Sequence, residues 1–141
     1  MRRTLSLILL VLVCLLPAGC ANQEIRSKQA ILKDTLRAYA ATIRWGEIEQ
    51  AVSFIDPKVL AEHPPSTIDL ERFKQVRVSS YDESPLVTVG PEEVRQTVQL
   101  DLFNVNTQTA RSAVDHQIWK YDKATKHWWL VSGLPDISRR E

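Results

Sequence analysis

Cysteine is nearly missing from this chain of 141 residues, which holds only Cys14 and Cys20. Two residues cannot build the multiple disulfide framework of a small secreted scaffold. Glycine is also scarce, at four residues, which leaves no Gly-rich loop to cradle a phosphate. There is no Gly-x-Ser-x-Gly elbow for a serine nucleophile. His63, His116 and His127 lack metal-ligand spacing, so neither a metal nor a cofactor is expected. An excess of one charge is lacking too: 18 basic residues stand against 17 acidic ones. That balance gives no clustered basic face and argues against nucleic acid. Nor is there an internal repeat, a low-complexity tract or a second long apolar run.

The one apolar run comes first. Arg2 and Arg3 precede an uncharged stretch from Leu5 to Leu16, followed by Pro17-Ala18-Gly19-Cys20. A positive start, about a dozen apolar residues and small residues at a cleavage point describe an export signal. The run is shorter than the roughly 20 residues a helix needs to cross a bilayer. Ala18-Gly19-Cys20 resembles the lipobox of bacterial lipoproteins, with Pro17 where leucine is usual. The resemblance implies cleavage before Cys20, a diacylglycerol on its thiol and an acyl chain on its new amino group. More than one chain meets the two-signal requirement for stable membrane anchoring. Ala21, in place of an inner-membrane aspartate, points to the outer membrane with the domain in the periplasm. Two other readings of the same residues are an ordinary secretory signal, leaving Cys20 a free thiol, and an uncleaved anchor.

On the lipoprotein reading, residues 1–19 are removed, 20–24 form a tether and 25–141 form one α+β domain. Removing 19 of 141 residues leaves 122, the size of a single compact domain. Dropping Arg2 and Arg3 leaves 16 basic against 17 acidic side chains. The few tether residues reach about 13 Å when extended, which keeps the domain near the lipid headgroups. Asn22 is the expected helix cap. Ile25, Leu32, Leu36, Tyr39 and Ile43 then recur at helical spacing on one face, with Arg26, Lys33, Asp34, Arg37 and Arg44 opposite. Gly46 ends this helix. A shorter one follows with Ile48, Ala51, Val52 and Ile55 inward, up to Pro57. Val59 to Glu62 adds a turn before His63-Pro64-Pro65 forces a loop.

After Asp69 the period changes from 3.6 to 2. Val76 and Val78 alternate with polar neighbours, and Tyr81 to Pro85 is read as a turn. Leu86 to Val89 is a short strand. From Val94 to Leu102 the even positions form a core face. The next strand, Thr109 to Tyr121, has Ala110, Ser112, Val114, His116 and Ile118 on one face, read as inward. His127 to Ser132 makes the last strand. Helices followed by antiparallel strands give an α+β plan with helices on one face of the sheet.

That order, with the closing Trp128-Trp129-Leu130-Val131-Ser132-Gly133-Leu134-Pro135-Asp136, resembles small bacterial lipoproteins with a nuclear transport factor 2-like, cystatin-like cone. The fold hosts isomerases, dehydratases, transport adaptors and scaffolds, so it implies no single function. Three-residue hairpin loops set Gln96 opposite His116 on the inner face and Trp119 opposite Trp129 on the outer one. Two sites follow. Tyr39, Gln96 and His116 line a candidate pocket, or else Gln96 and His116 merely satisfy each other. Trp119, Tyr121 and Trp129 form a candidate interface for a partner or a second copy, or else brace the hairpin.

No catalytic residue is assigned. Isomerases of the resembling fold need a carboxylate base inside the cone, and this alternation turns Asp101 and Asp115 outward. The favoured expectation is a non-enzymatic, lipid-anchored envelope module that binds a protein or itself. The alternative is a binding module for a small molecule, or an isomerase- or dehydratase-type enzyme, using the cone. A carboxylate buried beside His116 would revive the enzyme.

Overall fold

The computed structural model describes residues 18–138, with side chains from Asn22 onward. The signal segment before Ala18 lies outside the described residues. Helix α1 spans Ala18–Trp45, α2 Ile48–Ala51, α3 Pro57–Glu62 and α4 Thr67–Lys74, with a 3-10 turn at Val52–Phe54 between α2 and α3. Five strands follow: β1 Val76–Glu83, β2 Val87–Gly90, β3 Glu93–Asn104, β4 Ala110–Asp122 and β5 His127–Leu130. This is the expected α+β plan, and the antiparallel sheet is strongly curled into a half-barrel.

Compact packing divides the chain between Lys33 and Asp34. The first unit carries the N-terminal part of α1, which is helical from Ala18, so the expected cap Asn22 lies inside the helix. Ile25 is exposed there rather than inward, whereas Leu32 is buried. No helix among the described residues is long and apolar enough to cross a membrane.

In the second unit, Leu36, Tyr39 and Ile43 occupy the buried face of α1, as their spacing predicts. Helix α1 ends at Gly46, whose amide donates to the Thr42 carbonyl at 2.9 Å. A Cβ there would lie 2.9 Å from the same oxygen, so the close approach of the last turn selects glycine. Pro57 ends one segment and starts another. It is the first residue of α3, whose cap Asp56 accepts from the Lys58 amide at 2.7 Å. Helix α4 has no counterpart in the period reading. Ser66 caps it by accepting from the Asp69 amide at 3.1 Å and donates to Asp69 Oδ2 at 2.6 Å.

The sheet runs β1-β3-β4-β5, with β2 also paired to β3. Buried residues alternate along β3 at Val94, Gln96, Val98, Leu100 and Leu102, the face the sequence predicts. On β4 they are Ala113, Asp115, Gln117 and Trp119, the face opposite to the one expected. Val98 pairs with Asp115, Gln96 with Gln117 and Thr97 with His116. The register has slipped by one residue from the expected pairing, which exchanges every side chain between faces.

The cause is a four-residue loop where three were expected. Asn104 Oδ1 accepts from the amides of Asn106 and Thr107, each at 2.9 Å, and Gln108 takes φ 58° before β4 begins. The second hairpin repeats the device. Asp122 accepts from the Ala124 amide at 2.9 Å and the Thr125 hydroxyl at 2.8 Å, and Lys126 takes φ 54°. Trp119 therefore faces Leu130, and Tyr121 faces Trp128.

Candidate functional site

The slip in register brings a polar cluster to the concave face of the curled sheet. Asp115, Gln117 and Trp119 follow one another inward along β4. Tyr81 joins them from β1 because the pairing skips Ser79 between Val78 and Ser80. The Ser79 hydroxyl donates to the Asp101 carbonyl at 3.0 Å, and the bulge exchanges the faces of the residues beyond it. Tyr81 consequently pairs with inward Leu100, where a turn was expected. Tyr39 reaches the cluster from α1. Its ring meets Trp119 edge-on at 5.2 Å and Phe54 at 5.4 Å.

Gln117 connects the members. Its Nε2 donates to Asp115 Oδ2 at 2.7 Å and to the Tyr81 hydroxyl at 3.0 Å. Its Oε1 accepts from Trp119 Nε1 at 3.1 Å. Gln117 is 1% exposed and Trp119 is fully buried, so the bonds to Asp115 and Trp119 form where water cannot substitute for them, and the bond to half-buried Tyr81 is partly shielded. Gln96 stands opposite Gln117 and donates to the Ser84 carbonyl at 2.9 Å. Among the described residues, two buried side-chain atoms have no partner: the Tyr39 hydroxyl and Gln96 Oε1. A buried polar atom left unpaired costs roughly 1–3 kcal/mol.

Burial pushes the Asp115 carboxyl up to about 6, against a smaller downward pull from the Gln117 hydrogen bond and then from His116. Burial likewise holds the Tyr39 phenol well above its ordinary range, and the nearby Asp115 and Tyr81 charges add to the effect. Tyr81 is raised for the same first reason. Its bond with Gln117 opposes the rise, and Asp115 and Glu83 reinforce it. The arrangement holds a carboxyl near its titration point beside two phenols that stay protonated at neutral pH.

Among the residues expected to form a pocket, Tyr39 and Gln96 do face the interior, and His116 does not. His116 is exposed on the convex face, with Nδ1 3.2 Å from the Thr97 hydroxyl. Its inward place is taken by its neighbours Asp115 and Gln117, which the assumed loop length turned outward. Asp101 does face outward, where it accepts from the Ser112 hydroxyl at 2.7 Å.

The expected aromatic interface is divided in the same way. Trp119 is in the core, and Tyr121 is half-buried with its ring 5.2 Å from Trp128. Trp129 alone keeps the convex side, half-buried and 4.1 Å from the His127 ring. Clefts open elsewhere among the described residues. One of about 440 Å³ lies beside Trp45, Phe73 and Val76, and one of about 270 Å³ beside His63, Phe73 and Pro135. Neither is lined by any member of the polar cluster.

The class these features define is an α+β domain with a curled sheet and an acidic, aromatic concave face. No family profile matches the chain, and no curated protein or solved structure is found to be similar to it.

Proposed function

We infer that the mature protein is an outer-membrane lipoprotein, anchored through Cys20, with a nuclear transport factor 2-like domain that binds a small molecule at Asp115. The element order, the curled sheet and the Ala18-Gly19-Cys20 sequence after an apolar run support this reading. The observation that carries the binding role is the buried Asp115 carboxylate, which no side-chain cation among the described residues pairs and which lies among groups with unused hydrogen-bonding capacity. Folding alone gives no reason to keep it, since an apolar residue of similar size would avoid the desolvation cost. Costly polar groups gathered in a concavity are a recurrent mark of a functional site.

A fragment screen followed by side-chain NMR tests the binding role. Ligands of the site shift the Trp119 indole N–H and the carboxamide signals of Gln96 and Gln117 before any surface resonance. A screen in which every hit perturbs only surface residues contradicts it. Loss of labelled palmitate on Cys20→Ser tests the anchor. The same carboxylate is the group that an isomerase or dehydratase of the resembling fold requires, so turnover belongs in the screen.

A second reading, attachment of a protein partner or another copy, has its own support at β2. Among the described residues this strand pairs only with β3, and Leu86, Val87 and Val89 are exposed along its free edge. If Val87→Lys with Val89→Lys changes neither sedimentation nor cross-linking in the envelope, that reading fails.

A further inference from the structure

The unpaired groups of the concave cluster are not a random mixture. Asp115 accepts one hydrogen bond, from Gln117, and both side-chain hydrogens of that amide are already committed. Gln96 Oε1 accepts none. Asp115 pairs with Val98 and Gln117 with Gln96, so Gln96 is the diagonal neighbour of Asp115 across the ladder. Diagonal neighbours lie roughly 7–8 Å apart, a gap that the long Gln96 side chain and one small group can close on Asp115. What this corner lacks is a positive charge, since its two uncommitted donors, the Tyr39 and Tyr81 hydroxyls, are neutral.

Among the described residues, the surrounding chain does not supply that charge. The buried positions of β3 facing the cluster are Val94, Gln96, Val98, Leu100 and Leu102, none of them ionisable. From β1 come Tyr81 and Glu83, and from α1 comes Tyr39, all neutral or acidic. On β4, Arg111 shares the face but pairs with Leu102, four residues and about 13 Å along the strand. His116 acts on Asp115 from the other side of the sheet, where its ring is exposed.

Resting on the small-molecule reading, we propose that the ligand is a small organic ammonium, which donates to Asp115 and to Gln96 Oε1 beside the rings of Tyr39, Tyr81 and Trp119. A neutral donor would hydrogen-bond the carboxylate but leave its charge uncompensated, and an anion would repel it. An ammonium neutralises the charge and brings N–H donors to both acceptors. Aromatic rings add a favourable electrostatic environment for a cation. The two tyrosine hydroxyls remain to meet a polar substituent of the ligand.

The test uses the full chain and probes matched in shape but not in charge: methylamine and benzylamine, methanol and benzyl alcohol, acetate and benzoate. Calorimetry and side-chain NMR are read at pH 7.5 and pH 5. The amines bind at pH 7.5 and shift the Gln117 and Trp119 signals, and Asp115→Asn weakens them about 10- to 100-fold. Amine binding also weakens from pH 7.5 to pH 5, as the carboxyl of the free protein titrates near 6. This pH arm does not depend on the folding of any variant.

Alcohols or carboxylates that bind at the cluster as tightly as the amines overturn the ammonium and leave the small-molecule reading standing. Amine binding that survives both Asp115→Asn and pH 5 overturns it in the same way. If no probe of any charge reaches the cluster, and the fragment screen gives surface hits alone, both readings fall.

Discussion

Gln117 Nε2 lies 2.7 Å from Asp115 Oδ2, and the two residues sit two positions apart on the same inward face of β4. That bond favours the ionised carboxyl, yet burial outweighs it, and the group titrates near 6 instead of the ordinary 3.8. A carboxyl whose folded pKa lies above its unfolded one binds more protons when folded. Its contribution to stability is therefore present below about pH 4 and is lost as the pH rises through 6. The difference is on the order of 3 kcal/mol when complete. Asp115→Asn removes this term, and we expect it to stabilise the protein by about 1–3 kcal/mol at pH 7.5. Urea unfolding at pH 4, 5, 6 and 7.5 checks the prediction. Wild type minus variant should change steadily over that range, and a constant difference would mean that the carboxyl is not buried in solution.

Gln117 has the opposite sign. It serves three partners at once, so replacing it with methionine, which is similar in length, strands the Trp119 N–H and removes the Asp115 donor. Each buried group left unpaired costs about 1–3 kcal/mol, and the expected loss is about 2–4 kcal/mol. Removing a bond that favours the charged form also moves the Asp115 titration upward from 6. Denaturant midpoints and carboxyl chemical shifts through a pH titration measure the two effects separately.

Tyr39 divides the same way between ring and hydroxyl. The ring is fully buried against Phe54 and Trp119, whereas the hydroxyl has no partner. Tyr39→Phe keeps the packing and discards the unpaired group, so stability should stay level or rise by about 1 kcal/mol. Tyr39→Ala opens a cavity and should cost about 3–5 kcal/mol. Paired equilibrium unfolding curves separate the two contributions. A loss above 1 kcal/mol in Tyr39→Phe would show that the hydroxyl is bonded in solution.

These residues also mark where the sequence stops being legible. The buried face of α1 from Leu32 to Ile43 follows from helical spacing, and the core face of β3 follows from alternation, because apolar residues dominate both. On β4 the apolar pattern points the wrong way. Val114 and Ile118 lie on the convex side, and Asp115 and Gln117 lie on the concave one. A hydrophobic register rule fails where the interior itself is polar, and that is where the candidate site is. Tyr81 was hidden for another reason, since the bulge at Ser79 reverses a face that period-2 counting assumes constant. The decisive local signal was present at Asn104 and Asp122. Each can close a turn with its own side chain and allow a fourth loop residue.

Both hairpins therefore rest on a residue with a strained backbone. Gln108 and Lys126 adopt φ 58° and 54°, and both side chains are exposed. A left-handed conformation costs a non-glycine residue about 1 kcal/mol, which glycine avoids without a lost side-chain contact at these positions. Gln108→Gly and Lys126→Gly should each stabilise the protein by about 0.5–1 kcal/mol and leave the register unchanged. Deleting Asn106 should do the reverse. A turn that keeps four residues after the deletion brings Phe103 against Thr109, which sets Gln96 against His116 and turns Asp115, Gln117 and Trp119 toward solvent. Exposing a buried tryptophan alone forfeits several kcal/mol, so the deletion should unfold the domain rather than rewire it. Denaturant midpoints for the three variants, with amide NMR across β3 and β4, decide the matter. A folded deletion variant with unchanged strand contacts would show that packing, and not the loop, sets the register.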